Sequence, residues 1–206
     1  MADSDLARGT RLVAGKDPEM ARLIKAVGPI SLGDPQADHF AALVRSIMYQ
    51  QLAGKAALAI HTRFLGLFSD GLSPAAVLSL QDGAMRTAGV SGSKSAAIAD
   101  LAQKVTDGTL PLHDLESLSD DDLVERMVQV RGIGRWTAEM FLMFQLSRPD
   151  VWPVDDYGVR KGWALAHHLK ELLAPRAMQA EGERFRPYRS VAAWYCWRAV
   201  DTVIPA

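Results

Sequence analysis

Val130-Arg131-Gly132-Ile133-Gly134-Arg135-Trp136-Thr137-Ala138 is the stretch that decides the fold. Ahead of it, Leu123, Met127 and Val130 recur at helical spacing, and directly after it RWTAEMFLMFQL reads as another helix. Two helices are thus joined by a very short link that carries two glycines. Glycine reaches positive φ and lets a second backbone approach closely. The second helix begins just past Gly134, so its first N–H groups have no partner within the helix. Such a terminus attracts an anion through its donors and its dipole, and a phosphate group suits it. Arg131 and Arg135 add local positive charge. A bare glycine-x-glycine between helices is equally an ordinary turn with a glycine cap.

The flanks read as helices throughout. Phe40, Leu43, Val44 and Ile47 predict a helix over 36–50, with Pro35 at its start. Ala57, Ile60, Phe64 and Leu67 predict one over 55–68, and a short helix follows through 76–80. Ser91-Gly92-Ser93 precedes an apolar-periodic stretch (Ile98, Leu101, Ala102, Val105) that stops at Asp107-Gly108. Ser119 followed by Asp120, Asp121 and Asp122 is an N-cap with an acidic first turn. Pro149 and Pro153 separate the hairpin from DDYGVRKGWALAHHL, Pro175 and Pro187 bracket a looser stretch, and SVAAWYCWRAVDTV forms the last helix. No strand alternation, repeat or low-complexity segment is present. The expected fold class is all-α.

Composition narrows the function classes. The 206 residues are 49% apolar and 23% charged, enough for a real core, with no run long enough to span a membrane. MADSDLARGT carries no apolar core of a secretory signal. The single cysteine, Cys196, excludes a disulfide framework and an iron–sulfur cluster held by four cysteines, and points to a reducing, intracellular setting in the cytoplasm or nucleoid. His39, His61, His113, His167 and His168 show no zinc spacing, and His167-His168 reads as a partly solvated helix face. A net charge of −1 means that any nucleic-acid binding must rest on a local site.

Downstream lies Trp152-Pro153-Val154-Asp155-Asp156-Tyr157. Both aspartates stand where a helix begins, a position that favours negative charge and N-capping. The string V-x-G-I-G-x-W-T-A resembles the helix-hairpin-helix motif of DNA glycosylases. Together with P-x-D-D-Y it resembles the 3-methyladenine DNA glycosylase II family, the alkylation-repair branch of that superfamily. Tyr188-Arg189-Ser190 and Trp197 match the family's final helix, and the resemblance covers about residues 35–200.

That resemblance implies a monofunctional glycosylase that excises alkylated purines such as 3-methyladenine and leaves an abasic site. The alternative is a non-catalytic DNA-binding module. The family's catalytic carboxylate falls on Asp156, which leaves capping mainly to Asp155. In branches that also cut the strand, a lysine forms a Schiff base with the sugar. Trp136 stands at that position here. Trp136, Met140, Tyr157 and Trp197 are expected to form the pocket for a base taken out of the stack, while Trp163 and Trp194 are expected in the core. Gln51 is the expected wedge, with Leu52 beside it, and Gln50 caps its own helix in an equally open reading. Arg131, Gly132, Gly134, Arg135 and Thr137 are expected at DNA, with Ser93 and Lys94 at a further phosphate. The family's hairpin holds a monovalent cation, Na⁺ or K⁺, which here would sit on the carbonyls of Val128, Val130 and Ile133. No cofactor is otherwise required.

The expected architecture is a single domain of two helical lobes with the hairpin at the cleft between them. One lobe takes about 1–40 plus 165–206, the other about 41–164. The mixed α/β domain at the N-terminus of larger relatives is expected to be absent. The expected partner is double-stranded DNA bearing damaged bases, bound by a monomer, with no membrane involved.

Overall fold

The computed structural model describes residues 3–52 and 54–202. The helices are α1 (Asp3–Lys16), α2 (Pro18–Val27), α3 (His39–Tyr49), α4 (Gly54–Leu65), α5 (Pro74–Leu78), α6 (Ala84–Thr87), α7 (Gly92–Thr106), α8 (Asp120–Met127), α9 (Arg135–Met140), α10 (Tyr157–Ala166), α11 (Pro175–Gly182) and α12 (Arg189–Asp201). Short 3₁₀ turns cover Leu115–Ser117 and Glu183–Phe185. Among the described residues there is no strand, so the fold is all-α. None of these helices is long and apolar enough to cross a membrane.

The chain divides into two compact units. Unit 1 comprises the described residues of Met1–Pro35 and Leu142–Ala206, and unit 2 is Gln36–Phe141. The sequence reading placed the divisions near 40 and 164, which grouped the Asp156 segment with the hairpin. Asp156 and α10 instead fall in unit 1. The physical reason is Gly162. A methyl group there would overlap the Cys196 carbonyl of α12, so the two helices touch backbone to backbone.

In unit 1, α12 is the central helix. Val191, Ala192, Ala193, Tyr195 and Cys196 are wholly buried. Burial pushes the Cys196 thiol far above its usual range, so it packs as an apolar group. From α1, Gly9 presents no side chain to Val191 and Tyr188. Asp17 caps α2, accepting from the N–H groups of Glu19 and Met20. Burial alone would raise the Asp17 carboxyl. The His167 hydrogen bond and those two backbone donors outweigh it and hold the group below its usual value. His167 is the less solvated of the expected pair. It lies just past α10, 3.0 Å from Asp17 and stacked on Trp163 at 3.8 Å, and only His168 is exposed. Pro175 opens α11 as its first-turn proline, where the sequence suggested looser chain.

In unit 2, the predicted core face of α3 is buried: Phe40, Leu43, Val44 and Ile47. Asp38 caps that helix through Ala41 N–H, so Pro35 lies outside it. Ser119 caps α8 as expected, and Ser91 caps α7 in the same way. Beyond Met140, α9 does not continue as one regular helix. It widens into a π turn over Phe141–Gln145.

Candidate active site

The hairpin of unit 2 is built by local bonds. Val128 ends α8, Val130 N–H donates to Met127 O at 3.0 Å, and Ile133 N–H donates to Val130 O at 3.0 Å. Gly132 lies at φ +79°, a left-handed conformation that side chains resist. A methyl there would also come within 3.2 Å of Ala97 Cβ on α7. Asp100 of α7 accepts from Arg131 N–H at 2.7 Å. That bond, with Lys104 alongside, holds the Asp100 carboxyl below its usual value despite partial burial.

Gly134 precedes α9 without any side-chain cap, and nothing lies within 4 Å of where its Cβ would be. Ala138 is the residue whose N–H bonds back to Gly134 O, so the amides of Arg135, Trp136 and Thr137 lie ahead of the helical ladder. Arg131 and Arg135 are exposed, and Arg135 shares its charge with the buried Glu139 at 3.0 Å. Thr137 is buried and helps to line the groove described below. Val128 lies where a helix runs out of N–H partners, and Val130 commits one lone pair of its carbonyl to the turn and keeps another. These carbonyls, with that of Ile133, are the ones the sequence resemblance assigns to a monovalent cation. Among the described residues, no cluster of three or more His, Cys, Asp or Glu could hold a metal.

Beside the hairpin, within unit 2, runs a groove of about 530 Å³ lined by Arg45, Ser46, Tyr49, Gln50, Gln51, Trp136 and Thr137. Trp136 is half exposed, and Arg45 stacks over the Tyr49 ring at 4.4 Å. Arg45 escaped the sequence reading, although it stands one turn before Tyr49 on α3. Met140 is half-buried. Gln51 is exposed at φ +56°, and Leu52 is exposed beside it. Gln50 does not fold back on its own helix: its Nε2 donates to Gly132 O at 3.0 Å. Lys94, expected at a phosphate, has its ammonium turned onto Met48 O at 2.6 Å and Gln50 O at 2.7 Å. Ser93 is exposed near it.

In unit 1, Asp156 is itself the N-cap of α10. Its Oδ1 accepts from Val159 N–H at 2.7 Å and from Trp197 Nε1 at 2.8 Å. The division of labour read from sequence is thereby corrected. Asp155 sits one residue too early, in the turn closed by Asp156 N–H on Pro153 O at 3.0 Å, so one carboxylate both caps and faces Trp197. The indole is also tilted against Phe144 at 5.7 Å, a partly exposed aromatic missed by the sequence reading because it lies in the π turn. Gly158 makes room for this: a methyl there would stand 2.8 Å from Trp197 Cδ1 and 3.1 Å from Asp156 Oδ1. Tyr157 is largely exposed, with Lys161 over its ring at 6.0 Å. Trp163 is core, whereas Trp194 is only half-buried against Tyr195. Ser190 ties down the chain before Asp156, donating to Arg148 O at 2.7 Å and accepting from Val151 N–H at 2.9 Å. Unit 1 thus holds an oriented carboxylate flanked by aromatic surface. Unit 2 holds an amide-lined, cationic turn beside an aromatic groove.

Comparison with known proteins adds the family. The model of the HhH-GPD superfamily base excision DNA repair protein matches residues 44–187. DNA-3-methyladenine glycosylase 1 of Schizosaccharomyces pombe is 34% identical over 191 residues, covering 90% of this chain and 84% of that protein. The structure of the S. pombe 3-methyladenine DNA glycosylase in complex with abasic DNA superposes with a TM-score of 0.81 at 32% identity, covering 97% of this chain and 99% of that one. The DNA-3-methyladenine glycosidase of Bacillus halodurans gives 0.86 at 33% identity, covering 93% and 88%.

Proposed function

The chain belongs to the HhH-GPD superfamily of base-excision DNA repair proteins, and we propose that it is a monofunctional DNA glycosylase that flips alkylated purines such as 3-methyladenine out of duplex DNA, hydrolyses the N-glycosidic bond and leaves an abasic site. The observation that carries this reading is the Asp156 carboxylate, fixed at the head of α10 by Val159 N–H and Trp197 Nε1. Glycosidic cleavage develops positive charge on the sugar. A carboxylate held in place beside that charge stabilises it without reorganising, and can orient or deprotonate the attacking water. Both donors bond the same oxygen, Oδ1, so the second oxygen is set at a defined angle to the helix.

The remaining residues fall into supporting roles. Gly132, Gly134 and the amides at the start of α9 grip a phosphate, with Arg131 and Arg135 adding charge. This grip accounts for DNA binding by a chain of net charge −1. A Na⁺ or K⁺ ion on the carbonyls of Val128, Val130 and Ile133 would supply further positive charge there. Trp136 and Met140 in unit 2, and Tyr157 and Trp197 in unit 1, each offer flat or pliant apolar surface of the kind a flipped base requires. Indoles favour alkylated purines, which often carry positive charge, through cation–π attraction. Gln51, with Leu52, fills the gap in the duplex. An enzyme of this kind works where the DNA is, in the nucleoid or cytoplasm.

Trp136 has no amine, so water is the nucleophile. Incubation with methylated duplex DNA is expected to release free methylated purine and to leave an unbroken strand with alkali-labile sites. Borohydride should trap no protein–DNA adduct. A chain that bound this DNA and released no base would be a non-catalytic binding module, and a trapped adduct would assign an amine nucleophile instead.

Gly158→Ala tests the geometry. The methyl displaces the Trp197 indole from Asp156, and single-turnover base release is expected to fall about tenfold, the scale of a sub-ångström misplacement. The unfolding midpoint should move little, since alanine is a good helix former. Unchanged release would show that the Trp197 bond does not matter to the chemistry.

A further inference from the structure

We propose that Lys94 and Gln50 are positioning residues that lock the Gln51 wedge onto the phosphate-gripping hairpin; this rests on the reading of Gln51 as the wedge.

All the parts lie in unit 2. The last carbonyls of α3 have no helical partners. Lys94 supplies them: its ammonium donates to Met48 O at 2.6 Å and to Gln50 O at 2.7 Å. A cation in the first turn of a helix opposes that helix's dipole, so this lysine is misplaced for its own α7. It is well placed for the negative end of α3. Gln50 closes the other side, with Nε2 donating to Gly132 O at 3.0 Å. Gly132 in turn packs on Ala97, three residues beyond Lys94 on the same helix. The end of α3, the start of α7 and the hairpin are therefore joined in a closed ring of contacts.

Gln51 follows at once, with φ +56°. A non-glycine residue in that region is strained and persists where its neighbours over-determine it. Here the preceding residue is held twice, at its carbonyl by Lys94 and at its side chain by the hairpin. Binding of the hairpin to a phosphate thereby sets where the wedge enters the duplex. Lys94 acts on the wedge through backbone carbonyls, and not through a phosphate.

Lys94→Met in the full chain tests this. The variant is expected to release base about tenfold more slowly in single turnover, with affinity for undamaged duplex within about twofold of native. Its dependence of binding on salt should be unchanged. A lysine at a phosphate would instead lower the slope of log K against log [salt] by about 0.9, which would overturn the proposal. Lys94→Arg keeps two donors and is expected to restore most of the rate, which a purely packing role would not allow. Should Lys94→Met lose its fold, Gln50→Leu cuts the same ring from the hairpin side and should show the same slow release. Gln51→Ala separates the premise from the inference. If it slows release while Lys94→Met and Gln50→Leu do not, the lock is wrong and the wedge stands. If Gln51→Ala has no effect, wedge and lock both fall, while glycosylase activity itself is untouched.

Discussion

Asp156→Asn is expected to bind DNA as the native chain does and to lose at least about a hundredfold in the single-turnover rate of base release. Asparagine is the informative replacement because of where the residue sits. Asp156 caps α10, and an alanine would remove that cap at a cost of about 1 kcal/mol, mixing a folding defect with a chemical one. Asparagine keeps an Oδ1 acceptor for Val159 N–H and Trp197 Nε1, and caps a helix as well as aspartate does. The negative charge is removed, and the second oxygen becomes an amide NH₂ that can no longer accept a proton. Release within a few-fold of native, with the unfolding midpoint unchanged, would take the catalytic assignment away from Asp156.

Gly162→Ala carries the largest expected effect on stability. The added methyl overlaps the Cys196 carbonyl, which is backbone and cannot rotate away. α10 and α12 must separate, and fully buried side chains such as Tyr195 and Cys196 lose their packing. A loss of about 3 kcal/mol or more is expected, which lowers the unfolding midpoint by roughly 6–12 °C in a chain of this size. Gly15→Ala is the contrast, because nothing lies within 4 Å of the new methyl. That substitution should be neutral or slightly stabilising. Equal midpoints for the two variants would mean that the close approach of α10 to α12 contributes little.

How much of this could be read beforehand depended on how local the signal was. Ser119 announced its helix because capping is settled within three residues. The hairpin was legible for the same reason. The Asp155-Asp156 pair was ambiguous because capping turns on which residue stands immediately before the helix, and boundaries read from sequence slip by one or two positions. The N-terminal helices went unread, although α2 carries local marks of its own: the Asp17 cap, Pro18 in the first turn and Gly28 at the end. The π turn has no sequence mark, and with it Phe144 was lost. Lys94 misled because a lysine at a helix start suggests a solvated charge, and only the fold reveals that its tip meets the end of a different helix. Gly158 and Gly162 carry no message in the sequence, and become meaningful only once α12 lies against them.

The division into units has a consequence for synthesis. Unit 2 is one continuous stretch, Gln36–Phe141, whereas unit 1 is drawn from both sides of it. On the ribosome, the hairpin, its groove and the Lys94 ring can form while α1 and α2 still wait for α10 and α12. Trp197 emerges later still than Asp156, so the carboxylate has no indole to bond until α12 has been made. A nascent chain can thus complete the hairpin and its groove before the Asp156–Trp197 pair exists.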